Sequence, residues 1–244
     1  MTSLLAWHGC RADGTTRYLK VKEIVGVKTL LAGDVELCKN ALHGSMRAVD
    51  MLQYSEGLWI KRTLHEGTIL HDADKFGSSE RTVVAEADAT KLIVDWAFWC
   101  ADRAVRIHAV AALRQAGMNI EAEKLASLKA ITDIKSAFAA ANAADGTDAA
   151  NAASSAANAA SSAASNTAVC AVNAVRAAAD TAAYAAVHAA ADAAADAAVD
   201  NTASAAANAV AYTAAATVEM NLLNAELERR LLALMGLTET EVIQ

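Results

Sequence analysis

Residues 151–164 have the sequence Asn-Ala-Ala-Ser-Ser-Ala-Ala-Asn-Ala-Ala-Ser-Ser-Ala-Ala, in which one seven-residue unit occurs twice. Alanine has the highest helix propensity, so this stretch predicts a helix. The polar residues fall on one side, and the other side carries alanines: Ala152, Ala153, Ala156, Ala157, Ala160 and Ala164. A heptad of alanines lets helices approach closely. We therefore predict that residues 148–217 form closely packed antiparallel helices, within one chain or between two chains.

The composition around this unit is unusual over a long distance. Residues 137–217 contain 43 alanines, one arginine and six aspartates, a local formal charge of −5 against −7 for the whole chain. From residue 176 onward the non-alanine residues recur every four positions. They predict an acidic surface for a partner protein, with a cation site as the alternative at its last three aspartates: Asp180, Tyr184, His188, Asp192, Asp196 and Asp200.

A second repeat indicates where the alanine-rich region turns. Residues 166–175 resemble residues 201–210 at a spacing of 35. Each copy follows a cluster of residues that favour the helix N-cap. The pattern predicts helices of about 30 residues joined near these clusters. A single unbroken helix is the alternative.

Conventional amphipathic helices flank the alanine-rich region, within a helical domain of residues 87–244. A helix pair is predicted over 87–138, the alanine-rich helices over 139–217 and a C-terminal helix over 218–244. The first helix ends at Gly117 and has the buried face Leu92, Trp96, Trp99 and Ile107. The second begins at Asn119 and has the buried face Leu125, Leu128, Ile131, Ile134 and Phe138. The C-terminal helix ends at Gly236 and has the buried face Leu223, Leu227, Leu231 and Leu234.

Residues 1–86 have a different character, because they hold eight of the eleven glycines and most β-branched runs. Segments 15–24, 25–31, 58–64 and 81–86 predict short strands. Residues 45–54 predict one helix between them, with an apolar face. The predicted fold class is α+β, with a small β-rich N-terminal domain followed by a predominantly α-helical body.

Composition excludes several classes of protein. The net charge is −7 and no basic cluster occurs, which argues against nucleic-acid binding. No apolar run reaches the roughly 20 residues of a membrane span, and residues 1–14 do not resemble a secretory signal. The four cysteines are far apart and predict reduced thiols in a cytoplasmic protein. No cofactor motif is present, so none is predicted.

One segment concentrates side chains that bind metal ions. Residues 65–74 contain two histidines and two aspartates, in a spacing that matches no zinc pattern. Asp72 and Asp74 are candidates for a hard-cation site. A solvated hairpin end is the alternative explanation.

The N-terminal region resembles an uncharacterised family of phage and bacterial proteins. The shared elements are Leu42-His43-Gly44-Ser45, Asp50, Leu52, Tyr54, Asp74-Lys75 and Glu80-Arg81, followed in many members by alanine-rich repeats. The sequence departs from that family at Ala41 and Gly44, where Gly and Ala are more common. The resemblance implies a phage or prophage origin and, with it, the host cytoplasm.

The same stretch is similar to a motif of ADP-ribosyltransferases, which place a His-Gly-Ser/Thr sequence on a strand, a tyrosine in a later helix and a glutamate. His43, Tyr54 and Glu80 match that pattern and are the candidate catalytic residues. The alternative is that Ser45 caps the start of a helix.

Three functions follow from these patterns. The first is a non-enzymatic phage accessory protein that presents its acidic helical surface to a host or phage protein, or to a second copy. The second is a nucleotide-binding or ADP-ribosyltransferase-like enzyme built on the N-terminal domain. The third is an ice-binding helical protein, because Thr202 and Thr213 are 11 residues apart, although Thr167 and Thr181 break that series.

Overall fold

A computed structural model describes residues 3–17, 20–115, 117–144 and 201–238, with side chains in the last range from residue 215 onward. Between these ranges it also describes Asn151, Ser154, Ser155, Ala157, Asn158 and Ala160. The chain forms two compact units. One comprises the residues up to Ile93 together with those from Asn224 onward, and the other comprises Val94–Leu223.

The first unit is built on a five-stranded antiparallel sheet. Its strands are β1 Leu4–Cys10, β2 Lys28–Leu30, β3 Leu42–Gly44, β4 Trp59–His71 and β5 Phe76–Asp88. They are arranged in the order β1-β4-β5-β2, and β3 also pairs with β5. The long β4–β5 hairpin therefore forms the centre of the sheet. With the helices that follow, this confirms the predicted α+β class.

Backbone hydrogen bonds between Trp7 and Ser45 close four of these strands into a ring. The Trp7 amide donates to the Ser45 carbonyl at 2.8 Å, and the Ser45 amide donates to the Trp7 carbonyl at 3.0 Å. Because β3 already pairs with β5, this bridge joins β3 to β1. The ring β1–β4–β5–β3 curves the sheet around a polar interior.

The predicted strands agree with the sheet only in part. Segment 25–31 contains β2, and segments 58–64 and 81–86 lie largely within the longer β4 and β5. Residues 20–24 are not in a strand, because the Thr16 amide donates to the Val21 carbonyl at 3.0 Å and closes a loop. The patterns missed β1 and β3, because β3 has only three residues and β1 lacks a clear alternation.

The helix predicted over residues 45–54 is shorter than expected. It is α1, Ala48–Leu52, and its N-cap Arg47 makes no side-chain hydrogen bond. The capping role considered for Ser45 is wrong, because that residue is held in the bridge to Trp7. Distant side chains cap the helix instead: the Ala48 amide donates to Glu228 at 3.0 Å and the Val49 amide donates to Asn224 at 3.1 Å.

In the second unit, the first predicted helix contains an irregular turn. It consists of α2 Thr90–Arg103, a π-helix over Ala104–Ala109 and α3 Val110–Gln115. A π-helical turn holds extra residues and rotates the faces that follow it. Trp96 is buried as predicted, but Ile107 is 48% exposed, so its predicted burial is wrong. Gly117 has φ 75°, which confirms the predicted helix end.

The second predicted helix is interrupted. It divides into α4 Asn119–Ala126 and α5 Ile134–Ala143. A reciprocal capping box of Asp133 and Ser136 starts α5. The break changes the buried face, so Leu125 and Ile131 are buried but Ile134 and Phe138 are 37% and 52% exposed, contrary to the prediction.

The described part of the alanine repeat has the predicted two faces. Ala157 and Ala160 are fully buried, and the exposed helical residues are polar: Asn151, Ser155 and Asn158. Ser154, predicted on the polar face, is half-buried and donates to the Ala141 carbonyl at 2.9 Å. The remaining predicted turns and helix contacts between 161 and 200 lie outside the described residues.

The last helix, α6, spans Asn201–Leu234. Three of the four predicted leucines are fully buried: Leu223, Leu227 and Leu231. Leu234 is 45% exposed, because it lies at the helix end, so its predicted burial is wrong. Gly236 has φ 69° and the Leu237 amide donates to the Leu232 carbonyl at 2.9 Å, which confirms the predicted C-cap.

Candidate functional site

The first unit contains a cavity of about 90 Å³ beside the β1–β3 junction. Its walls come from β1, β3, α1 and the loops around Thr16, Cys38 and Lys75. The apolar part of the lining is Trp7, Gly9, Ala41, Leu42, Gly44 and Met51. The polar part is His8, Thr16, Arg17, Cys38, His43, Ser45, Tyr54, Lys75 and Arg81.

The charge of this lining has one sign. Arg17, Lys75 and Arg81 are cationic, and no described lining residue is acidic. The carboxylates that neutralise two of these cations lie outside the lining: Glu56 is 3.0 Å from Arg17, and Glu23 is 2.7 Å from Arg81. The cavity thus combines apolar walls with cationic groups, an arrangement typical of small-molecule sites.

A buried ionic network supports the cavity from behind. Arg81 donates from Nε and Nη2 to Glu23 Oε1 at 2.9 and 2.7 Å, and from Nη1 to the His43 carbonyl at 2.9 Å. The fully buried Lys61 lies 3.4 Å from Glu23 and 3.7 Å from Glu86. Buried charges are tolerated when they are paired in this way. Arg81 therefore fixes the position of β3 relative to β5.

His43 is a neutral acceptor in this geometry. The Cys38 amide donates to His43 Nε2 at 3.2 Å. Burial lowers the pKa of His43, and the charges of Lys75 and Arg81 lower it further. The ring thus holds the loop that carries Cys38, and it does so best in the unprotonated form.

Tyr54 and Lys75 form the opposite edge of the cavity. The Tyr54 hydroxyl donates to Asp74 at 2.7 Å, and Lys75 Nζ lies 4.5 Å from the centroid of the Tyr54 ring. Gln53 also donates to Asp74. Burial raises the pKa of Tyr54, and the hydrogen bond to Asp74 raises it further. The tyrosine is therefore a protonated, fixed side chain.

The structure places two of the three candidate catalytic residues together. His43 and Tyr54 both line the cavity. Glu80 does not: it accepts from Lys28 at 2.8 Å, and Lys28 also pairs with Glu66. The His-Tyr-Glu pattern is therefore not assembled around one pocket.

The two candidate metal ligands lie in the turn between β4 and β5. Asp74 is occupied by Tyr54 and Gln53, and Asp72 accepts from the Ala73 amide at 2.9 Å. In the described part of the chain, no three His, Cys, Asp or Glu side chains are grouped as metal ligands. His65 and His71 lie on β4, as the alternation predicts, and both rings contact Phe76.

The predicted acidic surface cannot be compared with the structure. Its residues, Asp180, Tyr184, His188, Asp192, Asp196 and Asp200, lie outside the described residues. The interaction role of this surface stays a prediction from composition.

Sequence patterns did not indicate most of the lining. Cys38, Lys75, Arg81 and the buried partner Glu23 have no motif of their own and come together only through the sheet. A weak signal existed, because Lys75 and Arg81 belong to the Asp-Lys and Glu-Arg elements of the family resemblance. That resemblance did not connect either residue to a pocket.

Comparison of the chain with protein-family models, with curated proteins and with solved structures returned no match. Among the described residues, no helix combines the length and apolar character that a membrane span requires. The geometry of the cavity is therefore the basis for a functional proposal.

Proposed function

We propose that the N-terminal unit is a binding module for a small anionic ligand. The observation that carries this proposal is the charge of the cavity lining, which holds Arg17, Lys75 and Arg81 but no acidic side chain among its described residues. An anion near several cations in a partly desolvated cleft gains more electrostatic energy than it would in water.

The dimensions of the cavity limit what enters it. An apolar cavity of about 150 Å³ accommodates benzene. The 90 Å³ here accommodates one small group, such as a carboxylate, a phosphate or part of a ring. The rest of a larger ligand would extend past the half-exposed Lys75 and the exposed Arg17. Trp7 and Leu42 provide apolar surface for a planar or aliphatic group.

The arrangement favours binding over ADP-ribosyl transfer. Transfer of that kind needs a carboxylate beside the reacting ribose, and Glu80 is paired with Lys28 away from the cavity. His43 and Tyr54 are occupied by the Cys38 amide and by Asp74. We therefore propose a non-enzymatic role, in which the ligand reports a condition or completes the module.

A pair of isosteric probes tests the charge preference. Benzoate and benzylamine have similar size and opposite charge, so only benzoate should raise the melting temperature. The stabilisation should approach about 2.7 kcal/mol when the ligand reaches a hundredfold excess over Kd. Inorganic phosphate and NAD complete the panel, because they separate a simple anion site from a nucleotide site.

The matched variants are Lys75→Met and Lys28→Met. Lys75 lines the cavity, whereas Lys28 pairs with Glu66 and Glu80 outside it. Lys75→Met should weaken benzoate binding about tenfold, equivalent to about 1.4 kcal/mol, and Lys28→Met should leave it unchanged. Equal responses to benzoate and benzylamine would refute the proposal.

The accessory role stays our proposal for the rest of the chain. The charge of −5 over residues 137–217 supports an interaction with a host protein, a phage protein or a second copy. The free thiols of Cys10, Cys38 and Cys100 support a cytoplasmic location. Affinity purification from infected cells tests this role, and recovery of neither a partner nor a self-associated form would count against it.

A further inference from the structure

Cys38 differs from the other described cysteines in its surroundings. Cys10 and Cys100 are buried, whereas Cys38 is exposed and lines the cavity. Burial raises the pKa of Cys10 to about 11, so that thiol is inert near neutral pH. The accessible thiol in the described part of the chain is therefore located at the proposed ligand site.

The loop that carries Cys38 holds it in a defined conformation. Its φ is 65°, in the left-handed region, where few residues other than glycine are found. The hydrogen bond from its amide to His43 Nε2 and the paired amides of Glu36 and Asn40 fix the turn. The thiol consequently has a fixed position relative to Lys75.

Lys75 is the cation next to this sulfur. Its side chain is hydrogen-bonded to the Cys38 thiol and lies over the Tyr54 ring. An ammonium group beside a thiol favours the thiolate, which is the nucleophilic form of cysteine. Cys38 and Lys75 thus form a pair inside a cavity that lacks acidic lining residues among those described.

We propose that Cys38 is a modification site for anionic low-molecular-weight disulfides, an inference that rests on the proposed anion preference of the cavity. The Cys38 thiolate attacks one sulfur of the disulfide, so a Cys38–sulfur bond forms and the original S–S bond breaks. The other half leaves as a thiolate and takes up the proton that Cys38 released. The mixed disulfide then occupies the mouth of the cavity and excludes the anionic ligand.

The test compares two disulfides of opposite charge, oxidised glutathione and cystamine. Mass spectrometry of the full-length protein after digestion gives the rate of modification at each cysteine. Rates are divided by those of N-acetylcysteine, to remove the intrinsic reactivity of each reagent. Cys38 should react faster with oxidised glutathione than with cystamine after this correction, and Cys10 and Cys100 should stay unmodified.

Variants assign the preference to Lys75. Lys75→Met should lower the rate with oxidised glutathione about tenfold, and Lys28→Met should change it less than about twofold. A corrected rate for cystamine that equals or exceeds that for oxidised glutathione would overturn the inference, as would an unchanged rate in Lys75→Met. Benzoate binding to Cys38→Ser separates the two proposals, because its retention supports the anion site whatever the exchange rates are.

Discussion

The indole Nε1 of Trp7 donates a hydrogen bond of 3.2 Å to Oε1 of Glu228, across 221 positions of the chain. The same oxygen accepts from the Ala48 amide at 3.0 Å. The guanidinium of Arg62 lies 4.4 Å from the Trp7 ring centroid. Burial lowers the pKa of Arg62, and the charge of Glu228 partly offsets this effect. One carboxylate thus connects β1, α1 and α6 within the first unit.

Removal of this carboxylate should destabilise the first unit. Glu228→Ala leaves the Trp7 and Ala48 donors without their partner and takes the counter-charge from Arg62. We expect a loss of about 2–4 kcal/mol of unfolding free energy, measured by chemical denaturation.

Glu226 provides the matched control on the same helix. It pairs with the neighbouring Arg229 and Arg230 at 2.8 and 2.7 Å. Because these partners are local and partly exposed, Glu226→Ala should cost less than about 1 kcal/mol. Equal costs at positions 226 and 228 would contradict the connecting role of Glu228.

Acidification should destabilise the first unit through its buried histidines. Burial holds the pKa of both His8 and His65 well below 6.5, and the charge of Arg81 lowers both further. The unfolded chain takes up these protons below pH 6.5 and the folded chain does not. The stabilisation is therefore complete above pH 6.5 and is lost as pH falls from there towards the folded-state pKa values.

The size of this effect follows from the linkage relation. At pH 5.5 each histidine should contribute a loss of about 1.4 kcal/mol relative to high pH. Urea denaturation at pH 7.5 and 5.5 measures it, and His65→Gln should reduce the difference between the two pH values. The same unfolding free energy at both pH values would show that these rings are not kept neutral.

The second unit contains an acid-sensitive ion pair of its own. Glu219 accepts from Arg103 at 2.8 and 2.9 Å and lies 3.3 Å from His108. Burial acts to raise the pKa of Glu219, but the hydrogen bonds and charges of His108 and Arg103 outweigh it and lower the pKa to about 2. This stabilisation is present above pH 4.5 and is lost as pH falls from 4.5 towards 2.

Glu219→Gln should remove most of that contribution, which is about 3 kcal/mol for a shift of this size. Thermal unfolding at pH 7 and pH 3.5 measures it. The wild type should lose more stability than the variant between these values. If both proteins lost the same amount, the Arg103–Glu219 pair would not be the source of the acid sensitivity.

The alanine face should not tolerate large side chains. Ala160 is fully buried, so Ala160→Leu should destabilise by about 1–3 kcal/mol through overpacking. Asn158 is exposed two positions earlier, and Asn158→Leu should change stability by less than about 0.5 kcal/mol. Circular dichroism during thermal unfolding compares them, and equal tolerance would mean that the alanine face packs against nothing.

The sequence by itself determined the features that depend on near neighbours. The α+β class, the two faces of the alanine repeat and the helix ends at Gly117 and Gly236 follow from propensity, periodicity and capping. These signals extend over a few residues, so the chain specifies them locally. The i,i+4 pair of Glu226 and Arg230, at 2.7 Å, belongs to the same group.

The tertiary structure decided the cavity and its supports. Strands β1 and β3 are stabilised by partners far along the chain, and the ring closes only when Ser45 meets Trp7. Gly44 shows the same dependence, because a Cβ there would lie 2.8 Å from His65 Nε2 and 2.9 Å from the Ala6 Cβ. Contacts such as these, or that of Trp7 with Glu228, leave no local pattern in the sequence. Packing and hydrogen bonding between distant residues therefore assembled the site, which neighbouring residues could not specify.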